Sequence, residues 1–394
     1  MSTFNPRFFS EPDRLKTIKP ERLITFLATF CTYLAGRGFT IPTGSGDKLD
    51  YSHLALILMH PDDQVPRLMV DALYYVHEMS HDDAFDDLVA LANEHGVPLD
   101  SEVSAADVAI ELWLNVPGAL QDAHAEASAS RQKSFTYFSG LTGQARPFLH
   151  LPAHRLRDLE ADLDSWFDQH KRGTGCRVFV FDRGAKVWIT IRHGQSFRRE
   201  GSVCNGKSSV EYYRPEKHDV LIYNTEMDNV GVHTATKGET NLYLNMIGQY
   251  FFGDSDYFPS AASFTLAPLF EDGEAALNCD DVPGLEQVRL VEYNRVRDGL
   301  FSEREILKAN DVFQALKARD RLFETDGRLV RGVFSVTFTG VKKARTVTIR
   351  PSNIAIYERN ADTELVESWL RKRGFILSGA NDINAPPPTV LVVA

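Results

Sequence analysis

Along the first 170 residues, apolar positions recur at a spacing of three or four, which is the period of one face of an α-helix. Leu156, Leu159 and Leu163 follow this spacing. Ser104 with Asp107 matches a capping box, the arrangement in which a side chain and a backbone amide close the start of a helix. The pattern predicts helices over residues 20–35, 68–76, 85–95, 104–114 and 154–170.

Beyond residue 175 the pattern changes to an alternation of apolar and polar positions, which is typical of half-buried strands. Arg183-Gly184 forms a short hairpin signal between two such runs, and later runs follow after short polar connections. Short connections join antiparallel neighbours, because a parallel crossover needs a dozen or more residues. The pattern predicts strands over 176–182, 186–192, 209–214, 218–224, 229–234, 329–339 and 344–357.

Helical spacing also returns in the second half of the chain. Residues 239–252 and 361–372 are predicted helices. Ser302 and Glu305 match a second capping box, which predicts a helix that continues through Leu322.

These elements predict an α+β fold. An acidic all-helical N-terminal domain spans residues 1–170, and a mixed domain built on an antiparallel β-meander with packed helices spans 171–378. Residues 379–394 are interpreted as a Pro-rich linker with an apolar C-terminal tail. Three interpretations of the last five residues remain open: they add a strand to the sheet of a partner, fold back on their own domain or stay disordered.

Charge is distributed unevenly along the chain, which has a formal net charge of −11. Residues 1–170 contain 13 basic and 25 acidic side chains, whereas residues 171–394 contain 30 basic and 29 acidic ones. Two stretches of the second half are strongly basic: 171–214 has ten basic and three acidic residues, and 328–350 has six basic and no acidic residues. The mean charge therefore conceals a candidate surface for phosphate.

The N-terminal residues and the cysteines favour a cytoplasmic protein. Residues 1–20 are charged throughout and lack the apolar core of a secretory signal. The apolar-leaning stretch 23–36 is uncharged over 14 residues, and no uncharged stretch is longer, whereas a membrane helix needs roughly 20 residues. The four cysteines include no CxxC pair, which is typical of reduced thiols. We therefore expect no membrane partner.

The pentapeptide His77-Glu78-Met79-Ser80-His81 has the HExxH spacing. On one helix both imidazoles would share a face and bind zinc, with Glu78 as the catalytic general base on the bound water. These five residues resemble the zincin metallopeptidases. Asp82 and Asp83 depart from the zincin pattern, and Ser80 with Asp83 also matches an N-cap, which would end the helix between the two histidines.

Arg192-His193-Gly194 follows an apolar run. A strand that ends in these residues resembles the histidine phosphatase family, in which the histidine takes the phosphoryl group and the arginine binds its oxygens. A second arginine motif and a second histidine should then follow, but His218 and His233 do not lie in a matching context. The alternative interpretation is a strand end that leads into a basic loop.

The basic stretches are interleaved with Gly, Ser and Asn, which suits contact with a phosphate backbone. Tyr212 and Tyr213 lie beside Arg214 and would stack on exposed bases. The candidate nucleic-acid-binding residues are Arg192, Arg198, Arg199, Lys207, Tyr212, Tyr213, Arg214, Lys342, Lys343, Arg345 and Arg350. The competing interpretations are a solvated surface and docking of the acidic half on the basic half.

From the sequence we predict a non-catalytic accessory component of a cytoplasmic multi-protein system. Its basic half would contact a nucleic-acid backbone and its acidic half would contact protein. The first alternative is a zinc metallopeptidase that uses Glu78 with His77 and His81, for which zinc is the cofactor; the main hypothesis needs no cofactor. The second alternative is a protein–protein scaffold whose basic residues are covered by the acidic domain.

Overall fold

The computed structural model describes residues 6–42, 49–140, 147–204, 206–259, 263–298, 301–359 and 362–377. Within these ranges it has a helical N-terminal part followed by a ten-stranded antiparallel sheet, a separate two-stranded sheet and further helices. The predicted α+β class and the order of its two parts are confirmed. The predicted linker and tail over 379–394 lie outside the described residues.

Most of the predicted helices are present. The described helices are α1 (Pro12–Leu15), α2 (Pro20–Ala28), α3 (Cys31–Gly36), α4 (Tyr51–Met59), α5 (Arg67–Met79), α6 (Phe85–Glu94), α7 (Ala105–Asn115), α8 (Pro117–Ser130), α9 (Ala153–Gln169), α10 (Lys237–Phe252), α11 (Pro268–Glu271), α12 (Val312–Lys317) and α13 (Thr363–Lys372). No helix within the described ranges combines the length and the apolar character needed to span a bilayer.

The strands form two sheets. They are β1 (Ser134–Ser139), β2 (Arg177–Arg183), β3 (Lys186–Gly194), β4 (Arg198–Cys204), β5 (Lys207–Tyr213), β6 (Glu216–Asn224), β7 (Asn229–His233), β8 (Leu285–Arg297), β9 (Glu303–Lys308), β10 (Arg328–Phe338), β11 (Arg345–Arg350) and β12 (Ile354–Ile356). The large sheet has the order β2-β3-β6-β7-β1-β12-β11-β10-β8-β9, and β4 pairs with β5 alone.

The chain forms two compact units. The helical unit comprises Met1–Ala127 and Arg199–Tyr212, and the sheet unit comprises Ser128–Arg198 and Tyr213–Ala394. This division differs from the boundary predicted at residue 170. The reason is that β1 pairs with both β7 and β12 in the middle of the large sheet, and that α9 contributes to the core of the same unit.

The helical unit has its own apolar core, and one buried arginine connects two of its helices. Arg22 of α2 lies 2.6 Å from Glu111 and 3.2 Å from Asp107, both on α7. Asp107 also closes the capping box predicted at Ser104. The carboxylates of α7 therefore compensate the buried charge of Arg22 and fix the contact between these two helices.

In the sheet unit, alternate residues of the strands face two different cores. Ile189 of β3 and Tyr223 of β6 pack with α9 and α10 on one side. Trp188 and Ile222, their neighbours in sequence, pack on the other side in a core that includes Trp369 of α13. Period-two alternation thus buries both faces of this part of the sheet.

The predicted helix over 302–322 is wrong. Residues 303–308 form β9, which pairs with β8, and a short helix, α12, begins only at Val312. Ser302 has a φ of 45°, whereas an N-cap residue is extended. Glu305 instead accepts hydrogen bonds from Tyr293 and the buried Arg295 of β8, so tertiary pairing overrides the local capping signal.

Candidate nucleic-acid interface

The β4–β5 hairpin is an insertion between two neighbouring strands of the large sheet. β3 ends at Gly194, and β6, its neighbour, begins at Glu216. The Gln195 amide donates a hydrogen bond to the Pro215 carbonyl at 2.8 Å, which closes the base of the insertion. The hairpin therefore starts and ends at the adjacent ends of two paired strands.

A buried polar cluster lies at the end of β3 and the beginning of β6. The Nε2 atom of His193, whose residue is 3% exposed, lies 2.9 Å from Oδ2 of Asp219, and its Nδ1 lies 2.8 Å from the Gly194 carbonyl oxygen. The imidazole stacks on Phe167 with a centroid distance of 4.2 Å. Tyr243 of α10 donates to the same Asp219 oxygen at 2.7 Å. Burial, with the adjacent Asp219 carboxylate, raises the pKa of Tyr243.

Glu239 of α10 belongs to the same cluster and forms ion pairs with Lys217 and Arg172. Its Oε1 lies 2.9 Å from Nζ of Lys217 and also accepts a hydrogen bond from Arg172. Its Oε2 accepts from the Thr236 amide at 2.9 Å, as part of a capping box at the start of α10. Burial disfavours the charge of Glu239, but the hydrogen bonds from Arg172 and Lys217 outweigh burial and lower its pKa to about 2.

The ligand atoms of His193, Asp219 and Glu239 lie within 4.8 Å of one another, a spacing that would also suit a metal ion. Nζ of Lys217, however, lies 2.7 Å from Asp219 and 2.9 Å from Glu239. The protein thus already places a cation against both carboxylates, which neutralises the charge that would attract a metal. We interpret the cluster as an ionic support for the base of the hairpin.

This arrangement also explains the Arg192-His193-Gly194 motif. Both ring nitrogens of His193 face oxygen atoms of the protein, so neither is presented to an incoming phosphoryl group. Gly194 has a separate role, because a Cβ atom at this position would lie 2.6 Å from the Arg172 carbonyl oxygen. The motif therefore fits the end of a packed strand that leads into the basic insertion.

The hairpin carries three exposed cations: Arg198, Arg199 and Lys207. Arg198 donates a hydrogen bond to Gln195 at 2.9 Å. Within the described part of the chain, none of the three has an acidic group within 4 Å. Their charges therefore remain available to an external anion.

Aromatic and apolar side chains are exposed on the same hairpin. Tyr212 is 62% exposed and Val203 is 77% exposed, and Tyr213 at the end of β5 is also exposed. The hairpin thus presents aromatic and apolar surface beside its three cations.

Two of the residues predicted to bind nucleic acid, Arg192 and Arg214, flank the hairpin in the sheet unit and already contact other groups of the protein. Arg192 is half-buried and lies 3.8 Å from Glu216. Arg214 donates to the Lys171 carbonyl oxygen, and its guanidinium carbon lies 4.9 Å from the ring centroid of Phe197. Both therefore support the base of the insertion.

The second basic stretch lies around the turn between β10 and β11. Lys342, Lys343 and Arg350 are exposed. Arg345 differs, because it lies 2.7 Å from Asp362 and 3.7 Å from Glu358. Three of these four predicted residues therefore lie on the surface, and the fourth belongs to an ion-pair network of the sheet unit.

The HExxH residues lie at the end of α5, in the helical unit. The helix ends at Met79, and the Ser80 hydroxyl donates to the Val76 carbonyl oxygen. His77 is therefore helical while His81 is extended, and their ring centroids are 6.3 Å apart. The helix therefore ends between the two histidines, as the alternative interpretation predicted, but Ser80 closes the end of α5 and does not cap the helix that follows.

The surroundings of these histidines do not form a three-ligand site in the described residues. Nδ1 of His77 accepts a hydrogen bond from the Phe8 amide at 3.2 Å. Burial lowers the pKa of His77, against the opposing effect of Glu78. Oε2 of Glu78 lies 3.9 Å from Nε2 of His124, in contact with a residue that the sequence did not single out.

Sequence reasoning missed Asp219, Glu239 and Tyr243, which complete the cluster around His193. One local signal was present, since Thr236 and Glu239 have capping-box spacing. Nothing local linked that box to His193, because the two lie on different elements that meet only through the sheet.

The sequence matches no protein-family model, and no curated protein is significantly similar to it. The functional argument therefore depends on the geometry of the chain itself.

Proposed function

We propose that the protein is a non-catalytic accessory component of a cytoplasmic multi-protein system and that it contacts a nucleic-acid backbone through the β4–β5 hairpin. The observation that carries the proposal is an exposed tyrosine on one two-stranded ribbon, together with three cations that have no acidic partner among the described residues. A ribbon of two strands fits the major groove of duplex DNA, and its cations neutralise phosphates without reading bases.

The tyrosines extend the proposal to single strands. Tyr212 is 62% exposed, so its ring is accessible to an unpaired base. Stacking on an aromatic ring is tolerant of sequence and contributes about 1–3 kcal/mol per base. The hairpin would therefore bind with little sequence preference.

In the same proposal, residues 1–127 of the helical unit contact protein. Residues 1–127 contain 20 acidic and eight basic side chains. Four of the acidic residues, Asp82, Asp83, Asp86 and Asp87, are exposed together at the start of α6. An acidic surface of this kind suits a basic protein partner and repels nucleic acid.

The test is fluorescence anisotropy of labelled single-stranded and duplex oligonucleotides over a series of salt concentrations. If the three hairpin cations each neutralise one phosphate, log K falls against log salt with a slope of about −3 for duplex DNA. The Arg198→Ala/Arg199→Ala variant should bind all sequences more weakly and make this slope shallower by about 2.

The matched control is Lys237→Ala/Arg319→Ala, which also removes two exposed positive charges but leaves the hairpin intact. This control should bind like the unaltered protein. Absence of binding to every oligonucleotide, binding that ignores salt, or equal weakening by the two variants would reject the hairpin as a nucleic-acid contact. Protein binding without nucleic-acid binding would instead favour the scaffold alternative.

A further inference from the structure

A cavity of about 300 Å³ lies inside the sheet unit. Strands β3, β6, β7 and β1 contribute residues to one wall, and α13 contributes residues to another. The cavity is partly open to solvent, and its volume lies at the lower end of the range of about 300–1,000 Å³ that is usual for small-molecule sites. It is separate from the ionic cluster at His193, because Trp188 and Ile222 on its wall face away from the core that contains α9 and α10.

Aromatic rings form much of the apolar wall. Trp188, Tyr137 and Phe264 all line the cavity, and the rings of Tyr137 and Phe264 lie edge to face with centroids 5.1 Å apart. The guanidinium carbon of Arg183 lies 5.8 Å from the ring centroid of Trp188. Flat apolar surfaces of this kind favour a planar ring as the body of a ligand.

A buried arginine lines the same space. Arg359 is 7% exposed, and its guanidinium donates to the Lys133 and Tyr357 carbonyl oxygens and to the Tyr137 hydroxyl. Two of its five N–H groups have no acceptor among the described residues. No carboxylate in that part of the chain lies within 4 Å of it.

The carboxylate of Glu367, which also lines the cavity, pairs with other residues than Arg359. It lies 2.7 Å from Nζ of Lys186, and it accepts a hydrogen bond from the Tyr357 hydroxyl at 2.9 Å. The guanidinium carbon of Arg359 lies 3.9 Å from the ring centroid of Phe135 and 4.3 Å from that of Tyr357. These rings attract its charge, but no carboxylate among the described residues pairs with it directly. A buried cation without a direct counter-ion favours an anionic ligand.

A further polar group of the lining, the Ser263 hydroxyl, lacks a partner among the described residues. Ser263 is 3% exposed, and its buried hydroxyl makes no hydrogen bond within these ranges. Buried polar groups are normally paired, so a ligand that accepts and donates hydrogen bonds would complete this site.

We propose that this cavity binds a small aromatic acid. The acid group would accept hydrogen bonds from Arg359, and the ring would lie against Trp188 and Phe264. Arginine suits this role because its planar N–H groups match the two oxygens of a carboxylate. This proposal does not depend on the nucleic-acid contact of the hairpin.

The test uses indole-3-acetate and its neutral isostere indole-3-acetamide, with isothermal titration calorimetry on the full chain. We expect the acid to bind at least about tenfold more tightly than the amide. The Arg359→Met variant should lose this preference. The Ser263→Leu variant, which fills the cavity and retains Arg359, should weaken both probes.

Arg319→Met is the matched control, because it makes the same change at an exposed arginine that does not line the cavity. It should bind both probes like the unaltered protein, and so should Arg198→Ala/Arg199→Ala. Thermal unfolding of each variant checks that it is folded. If Arg359→Met does not fold, the Ser263→Leu variant tests the proposal in its place. Equal affinity for acid and amide, no binding of either probe, or unchanged binding in Ser263→Leu would overturn the proposal.

Discussion

Gly194 shows how strictly the end of β3 constrains a single residue. A Cβ atom there would lie 2.6 Å from the Arg172 carbonyl oxygen, and Arg172 itself contacts Glu239 of the buried cluster. A side chain of any size would therefore push apart two segments that the cluster holds together. The glycine is required for close approach, in addition to any role in a turn.

We expect Gly194→Ala to lower the free energy of unfolding by about 1–3 kcal/mol, which is the usual cost of overpacking a tight contact. Urea unfolding followed by circular dichroism measures the change. Gly201→Ala is the control, because a Cβ atom at Gly201 would meet nothing within 4 Å. Unfolding of both variants at the same urea concentration as the unaltered protein would contradict the close contact between Gly194 and the Arg172 carbonyl.

At the scale of the element, capping signals were reliable where nothing competed with them. The box at Ser104 and Asp107 was predicted and is present. The same kind of signal failed at Ser302 and Glu305, because Glu305 binds the buried Arg295 and its segment pairs with β8. A local hydrogen-bond pattern thus predicts a helix only when the rest of the fold leaves that segment free.

Glu239 is both the third residue of α10 and an ion-pair partner of Lys217 and Arg172. Since its pKa falls from 4.5 to about 2 on folding, the ionised form stabilises the folded state. This contribution is complete above about pH 4.5 and is lost as the pH falls towards 2. It corresponds to a free energy on the order of 3 kcal/mol.

We therefore expect Glu239→Gln to be less stable than the unaltered protein at pH 7, by an amount that shrinks as the pH falls below 4.5. Urea unfolding at several pH values measures this difference. Glu271→Gln, at an exposed carboxylate without an ion pair in the described part of the chain, should have little effect at any pH. A constant difference between Glu239→Gln and the unaltered protein over this range would contradict the ionic role of Glu239.

At the scale of the whole molecule, the two units are not two consecutive halves of the chain. The hairpin residues Arg199–Tyr212 belong to the helical unit, although they are inserted between β3 and β6 of the sheet unit. β1 and α9 precede residue 170 but belong to the sheet unit. A boundary drawn from composition alone cuts through that sheet.

Truncation tests this division directly. A fragment of residues 128–394 retains β1, which pairs with β7 and β12, and α9, whose Leu159, Leu163 and Phe167 are fully buried. We expect it to unfold cooperatively. A fragment of residues 171–394 lacks both elements and should expose apolar surface, because the middle of the sheet loses a strand.

Circular dichroism and heteronuclear NMR of the two fragments measure the outcome. The shorter fragment is the control for the longer one, since both lack residues 1–127. Cooperative unfolding of the 171–394 fragment with dispersed NMR signals would contradict the assignment of β1 and α9 to the sheet unit.

The sequence by itself determined the fold class, most helices and strands β2, β3, β6 and β7, because periodicity and caps act over a few neighbouring residues. It also singled out the motif at His193 and the basic residues of the hairpin, but it predicted a loop where β4 forms and a strand of the meander where β5 pairs with β4 alone. Only the tertiary structure joined His193 to Asp219 and Glu239, placed β1 at the centre of the sheet and put Arg359 beside a cavity with no carboxylate of the described residues within 4 Å. These features depend on contacts between residues far apart in the chain, and a single sequence contains no local pattern that specifies such contacts.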